Sequence, residues 1–262
     1  MLRFKSLGSG SSGNATVVEA GRGDHVKRLL IDCGLGARAL EARLGLAGLA
    51  LNQIDAIFVT HEHSDHIGCA RQLALRYRLP VWMSQGTHLG AGLEASESDF
   101  DGLLRLAQDG ITIDLGEMQI TPFTVPHDAR EPLQLRCSDG NRHLGVLTDL
   151  GHATGHVLTH LSGSHALLLE CNHDADLLAA GPYPAFLRQR VGGRFGHLSN
   201  IDAAQIAKSL DHAGLAHVIA AHLSSQNNRP ELAREALATA LGRAASEIGV
   251  ATQDTGCDWI NV

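Results

Sequence analysis

Short runs of leucine, isoleucine and valine, each closed by a polar or glycine-containing turn, recur along this chain. Their length and β-branched content predict strands at Leu2–Leu7, Ala15–Ala20, Val26–Ile31, Ile54–Val59, Pro80–Met83, Met118–Val125, Leu133–Cys137, Leu144–Leu147, Ala166–Leu169, Val218–Ala221 and Asp258–Val262. Between them, apolar residues at three- and four-residue spacing predict helices over Ala37–Leu44, Asp65–Tyr77, Gly155–Leu161, Pro184–Val191, Ile201–Ala213 and Pro230–Ile248. Ser199, three residues before Asp202, has the spacing of a capping box for the helix that follows it. Strands dominate the first half, and strand and helix then alternate. That order predicts an α/β protein, with sheets covered by helices in one continuous domain.

The polar residues that interrupt this pattern are not evenly spread. Thr60-His61-Glu62-His63-Ser64-Asp65-His66 follows directly on the buried-looking run Ile54–Val59. Such a concentration of imidazole and carboxylate suits two divalent cations held side by side, of the zinc, manganese or iron class. One loop cannot supply all the ligands of a metal pair, and single polar residues close several later strands. His127 follows Val125-Pro126, Asp149 ends Leu144–Thr148, His222 ends Val218–Ala221, and Asp32 closes Leu29–Ile31. Each alone reads equally well as a turn residue; their recurrence in one structural context favours a shared site.

The remaining composition narrows the class. The formal charge of −7 argues against a broadly basic nucleic-acid coat. Two bound dications would leave roughly −3, with positive charge focused at the site. Five cysteines, widely spaced and never CxxC, read as reduced thiols of a cytoplasmic protein. The start of the chain lacks the apolar stretch of a secretory signal, and no run approaches a membrane span. Of the sixteen histidines, His25, His88, His143, His152, His156, His160, His165, His212 and His217 read as surface or capping residues.

His61-Glu62-His63-Ser64-Asp65-His66, with Asp32, His127, Asp149 and His222 in this order, resembles the metallo-β-lactamase-fold hydrolases over essentially the whole chain. The resemblance implies a four-layer αββα sandwich with the metal site at one edge. It places the first metal on His61, His63 and His127, the second on Asp65, His66 and His222, and Asp149 between them. Asp32 is implied as a residue behind the ligands that orients their loop. Two cations roughly 3.5–4 Å apart share a water and lower its pKa, giving a bridging hydroxide nucleophile. Asp65 is then a ligand that also holds the nucleophile in line.

The superfamily hosts lactamases, thioester hydrolases, lactonases and nucleases, so the fold does not choose the substrate. Lactamases of this type are secreted and commonly carry cysteine at the position of Asp149, which counts against that role. Thioester, ester and lactone hydrolysis of the glyoxalase II type remains the alternative, and weak β-lactam turnover would be promiscuity. Ser6–Asn14, Leu168–Asp174, Gly196–Asn200 and Ala221–Asn228 resemble the YycJ/WalJ-like branch, whose members are associated with 5′-to-3′ DNA exonuclease activity and DNA repair. That likeness implies a nucleic-acid substrate, with DNA favoured.

His197, just ahead of a predicted helix, is the further catalytic candidate, as a phosphate contact or general acid. Glu170 and His173 are candidates to orient it, and read equally well as ordinary strand-end residues. Ser9, Ser11, Ser12 and Asn14 can offer hydroxyls and backbone N–H groups to phosphate, with Ser199 and Asn200 as further substrate contacts. On composition alone the Gly8–Asn14 segment is a hairpin turn. Arg188, Arg190 and Arg194 read first as a solvated helix face, and Trp82, Tyr183 and Phe195 as core. The 73 positions between Asp149 and His222 read as part of the sandwich, leaving no inserted clamp domain. Nucleic acid would then meet an open surface or a dimer partner.

Overall fold

A computed structural model describes residues 1–23, 25–92 and 100–262. The strands in chain order are β1 (Leu2–Gly8), β2 (Ala15–Arg22), β3 (His25–Ile31), β4 (Ala56–Phe58), β5 (Val81–Met83), β6 (Leu104–Leu106) and β7 (Ile113–Asp114). They continue as β8 (Gln119–Thr124), β9 (Leu133–Ser138), β10 (His143–Leu147), β11 (Ala166–Glu170), β12 (His217–Ala221), β13 (Ile248–Val250) and β14 (Ile260–Asn261). Among the described residues they form two sheets, ordered β14-β1-β2-β3-β4-β5-β6 and β13-β12-β11-β10-β9-β8-β7. The α-helices are α1 (Ala37–Leu46), α2 (Ser64–Ile67), α3 (Ala70–Tyr77), α4 (Gln85–Gly90), α5 (Gly155–Leu161), α6 (Ala175–Ala180), α7 (Ala185–Val191), α8 (Asn200–Leu210) and α9 (Pro230–Leu241).

Alternation along each strand decides which layer a side chain enters. Leu29 and Ile31 of β3 and Ala166 and Leu168 of β11 point inward, into a core shared by both sheets. Leu30 turns the other way, to Leu40 and Leu44 of α1 and Leu73 of α3. Leu167 and Leu169 likewise meet Val157 of α5, Ile206 of α8 and Leu237 of α9. The result is the αββα sandwich that the resemblance implies. Both faces of β4, β11, most of β10 and β12, and the Leu29–Ile31 end of β3 are covered, which explains why these stretches read as apolar runs.

Several elements differ from the sequence-based expectation, α4 and α6 among the unexpected ones. The single helix expected over Asp65–Tyr77 breaks into α2 and α3 at Gly68, whose φ is +29°. A Cβ there would stand 2.3 Å from the Cys33 carbonyl oxygen, so the break brings this loop down onto the one after β3. The last helix stops at Leu241, where Gly242 takes the left-handed cap conformation, and Ile248 instead opens β13 beside β12. Strands β6 and β7 are too short to leave a periodic signal.

Strands β3 to β6 are mutually parallel, as are β10 to β13. Parallel strands aim their carboxyl ends to one side, where loops from several strands meet and ligands bind. Asp32, His61, Asp149, Glu170 and His222 all stand at or just beyond such ends.

Candidate metal centre

The loop between β4 and α2 is held from beneath. Asp32, in the left-handed region at φ +62°, accepts hydrogen bonds from the Thr60 backbone N–H at 2.8 Å and from its hydroxyl. Its other oxygen lies 2.7 Å from Nδ1 of His66. Thr60 also places its hydroxyl 3.1 Å from Nδ1 of His61. Nδ1 of His127 donates to the Gly196 carbonyl at 3.0 Å, and Nδ1 of His222 faces the Thr148 carbonyl at the same distance. Bonds to oxygen atoms that only accept fix the proton on Nδ1 of His66, His127 and His222. In each neutral ring, Nε2 then carries the lone pair, met in His66 by Asn14 Nδ2 at 3.0 Å.

Those lone pairs converge. Nε2 of His61 is 3.0 Å from Nδ1 of His63, which is 3.4 Å from Nε2 of His127. Nε2 of His66 lies 3.0 Å from Asp149 and 3.5 Å from Asp65, and Nε2 of His222 lies 3.6 Å from Asp65. Buried and without a hydrogen-bond partner are Nε2 of His222 and one Asp149 oxygen. Unpaired acceptors facing one another repel unless a cation sits between them. The nitrogen-and-oxygen donor set, with no thiolate among the converging atoms, fits divalent cations of the zinc, manganese or iron class.

Without a cation, the same crowding shows in the proton affinities. Burial lowers the His66 pKa, but Asp149 and Asp32 outweigh it and raise the value to about 10. His222 follows the same logic, pulled down by burial and carried well above its ordinary value by Asp149. His61, with burial and then His66 as the main influences, falls well below the usual imidazole range. Burial would raise Asp149, yet His222 and His66 hold it well below the carboxylate range.

Beside this centre lies a cavity of about 330 Å³, walled by Ser11, Asp65, Asp149, Tyr183, Arg190 and His197 among others. Nδ1 of His197 is 2.6 Å from Glu170 and 3.4 Å from Asp149. Glu170 also accepts from the backbone N–H groups of Leu150 and Leu198, which ties three site segments to one buried carboxylate. Gly196 has no room for a side chain, because a Cβ would meet the Arg190 and Val191 carbonyl oxygens at 2.1 and 2.2 Å.

Not every expected residue reaches the cavity. Ser11 lines it, whereas Ser9 accepts from the His222 backbone N–H at 2.8 Å and Asn14 Nδ2 sits 3.0 Å from His66. Ser12 points to solvent and holds Gln253. Ser199 caps α8, as its spacing from Asp202 predicts, and Asn200 is buried in a reciprocal pair with Asn228; neither lines the cavity. Internal hydrogen bonds use up their polar atoms. His173 is buried behind the cavity with Nδ1 unpartnered. Thr60, Asp128 and Tyr183 are additional site residues that spacing did not single out. Asp128 holds Arg190 at 2.7 Å and lies 3.5 Å from His127; its one sequence signal is adjacency to that histidine.

One expectation changes: Phe195 is 58% exposed rather than core. His156 lies at the surface as expected, where it pairs with Asp109 at 2.9 Å beside His160.

Residues 27–223 match the family model of the beta-lactamase superfamily domain. Exodeoxyribonuclease YycJ of Bacillus anthracis is 34% identical over 255 residues, spanning 95% of this chain and 93% of that protein. Exodeoxyribonuclease WalJ of Streptococcus pneumoniae serotype 2 is 30% identical over 250 residues, spanning 95% and 91%. Among solved structures, the metallo-beta-lactamase fold protein YhfI of Bacillus subtilis covers 100% of both chains with a TM-score of 0.73. At 18% identity that likeness speaks to the fold alone.

Proposed function

The chain belongs to the metallo-β-lactamase superfamily, in its YycJ-like branch, and is a metal-dependent hydrolase; from that premise we propose that it is a dinuclear phosphodiesterase acting on nucleic acid, a 5′-to-3′ DNA exonuclease of the cytoplasm with a role in DNA repair. His61, His63 and His127 would hold one cation and Asp65, His66 and His222 the other, with Asp149 between. When bound, the two ions lower the pKa of a water and polarise the scissile phosphoryl group.

What this chain's own residues add is orientation and a proton. The single observation that carries the reading is His197, a cavity-wall imidazole held through Nδ1 by the buried Glu170 at 2.6 Å. Burial lowers the His197 pKa, but Glu170 more than reverses it, which favours the doubly protonated ring. With Nδ1 occupied by Glu170, Nε2–H is the donor left for a phosphate oxygen or a departing alkoxide. A thioester has less need of such a donor, since a thiolate is a more stable leaving group than an alkoxide. Both curated relatives are named exodeoxyribonucleases, which supports DNA as the substrate. Between Asp149 and His222 the chain forms α5, β11, α6 to α8 and β12, all part of the sandwich, so nucleic acid would meet an open surface or a second copy of the chain.

Product analysis on single- and double-stranded oligonucleotides labelled at either end, with zinc, manganese and a chelated control, tests this directly. His197→Ala should cost about 10²–10⁴ in rate with metal content unchanged. Fast thioester or lactone hydrolysis with no cleavage of any DNA or RNA would sink the proposal in favour of the glyoxalase II type of activity.

A further inference from the structure

The loop between β1 and β2 spends nearly all of its backbone donors within the protein. Ser9 N–H bonds the Thr252 carbonyl at 3.0 Å, Gly10 N–H bonds Asn14 Oδ1 at 2.8 Å, and Gly13 N–H bonds the Gly10 carbonyl at 3.0 Å. Asn14 N–H goes to the Asp65 carbonyl at 2.8 Å, and Ser12 N–H to Gln253 Oε1 at 2.9 Å. Ser11 is the exception. Among the described residues neither its N–H nor its hydroxyl has a partner, and within this loop Ser11 alone stands on the cavity wall.

The side chain that shapes this turn comes from near the other end of the chain. Gln253 accepts from Ser12 through Oε1 and donates through Nε2 to the Gly13 carbonyl at 3.2 Å. Gly10, at φ +147°, makes room for it, since a Cβ there would stand 2.6 Å from Oε1. Gln253 is itself fixed. Thr252 and Gly256 exchange backbone hydrogen bonds at 2.9 and 3.0 Å, and Arg43 of α1 joins the Gln253 and Leu7 carbonyls at 3.0 and 2.8 Å. Ala251, just before the turn, bonds the Ala220 carbonyl of β12 at 2.8 Å, two residues ahead of His222. One short turn thus ties the loop to the strand that carries His222.

We propose that Gln253 is a positioning residue, which sets this loop so that Ser11 presents both its N–H and its hydroxyl to a phosphate oxygen of the substrate. The inference rests on the phosphodiester reading above and adds to it the place where the diester anion is held. A phosphodiester has two non-bridging oxygens where an ester or thioester has one carbonyl oxygen, so a further pair of donors serves only the former. Gln253 must accept from one peptide and donate to the next, which a carboxylate or an ammonium cannot do. Ser12 is exposed and Gln253 only partly buried, so water can replace either lost hydrogen bond and the chain should fold without the amide.

Steady-state cleavage of oligothymidine and of p-nitrophenyl acetate by the metal-loaded protein tests this. Gln253→Ala should raise KM for the oligonucleotide about tenfold with kcat within about twofold, the signature of lost substrate binding. Kinetics on the acetate and metal content should stay as they were. Ser11→Ala should also raise KM for the oligonucleotide, and the double variant should cost less than the product of the two effects, because Gln253 acts through Ser11. An unchanged KM, a loss of metal, or equal effects on both substrates would overturn the role while leaving the nuclease reading in place. If the unsubstituted protein hydrolyses the acetate but cleaves no oligonucleotide, the nucleic-acid reading falls, and this inference with it.

Discussion

Among the described residues, two regions bring histidine and aspartate together, and they share little beyond donor type. In the cluster around Asp149, every imidazole except His63 has its outward nitrogen held by a buried acceptor or hydroxyl: Asp32, Thr60, the Gly196 carbonyl or the Thr148 carbonyl. In the cluster of Asp109, His156 and His160, the side chains of Asp109 and His156 are 41% and 42% exposed. There His156 spends Nε2 on Asp109 itself, and His160 stacks on Phe123 at 5.2 Å. The lesson concerns preorganisation. A metal site needs lone pairs that have nothing else to bind and cannot turn away.

The largest expected effect separates the two clusters outright. Asp149→Ala should strip at least one cation per chain and abolish hydrolysis, measured by elemental analysis beside a rate assay. Loss of metal from His156→Ala instead would break the comparison.

Next comes Asp32→Asn, which leaves the donors of the first cluster in place but weakens their support. Metal affinity should fall about 10- to 100-fold, read by competition with a chelating dye. An unchanged affinity would mean that the Asp32 hydrogen bonds do not matter to the centre.

A smaller effect is in the pH response. Without a cation, the His66 pKa, lowered by burial and then lifted by Asp149 and Asp32, stands at about 10 against an ordinary 6.5. Its raised value stabilises the metal-free protein fully below about pH 6.5 and loses that contribution as pH rises through about 10. A cation must expel the proton, so metal affinity should climb across the same window. Calorimetry at neutral pH in buffers of different ionisation enthalpy should register proton release.

The smallest effect is at the surface. Exposed ion pairs contribute little, so His156→Ala with His160→Ala should change stability by no more than about 1 kcal/mol in thermal or denaturant unfolding.

The two clusters also show how far the chain could be read unaided. The β-branched runs made most strands legible, and the six-residue His61–His66 motif marked the metal loop because its density has no use in a core. Asp32, His127, Asp149 and His222 were legible as strand-end residues. Asn14, Thr60 and Asp128 were not readable as partners of that loop, since each acts across a contact that no local spacing encodes. Phe195 was misread for the same reason: an aromatic residue is apolar wherever it lies, and exposure is a property of the packed chain.

By itself the sequence determined which segments alternate, which bury both faces, and which residue types stand at the strand ends. Those are local properties, set by side-chain chemistry and the two-residue period of a strand. Only the tertiary structure decided that the carboxyl ends of strands from two different sheets meet at one rim, and which nitrogen of each imidazole is left bare there. Its packing also left Phe186 and Phe195 exposed to solvent. Such facts depend on distances between residues far apart in the chain, fixed when the helices and the two sheets bury their shared apolar faces.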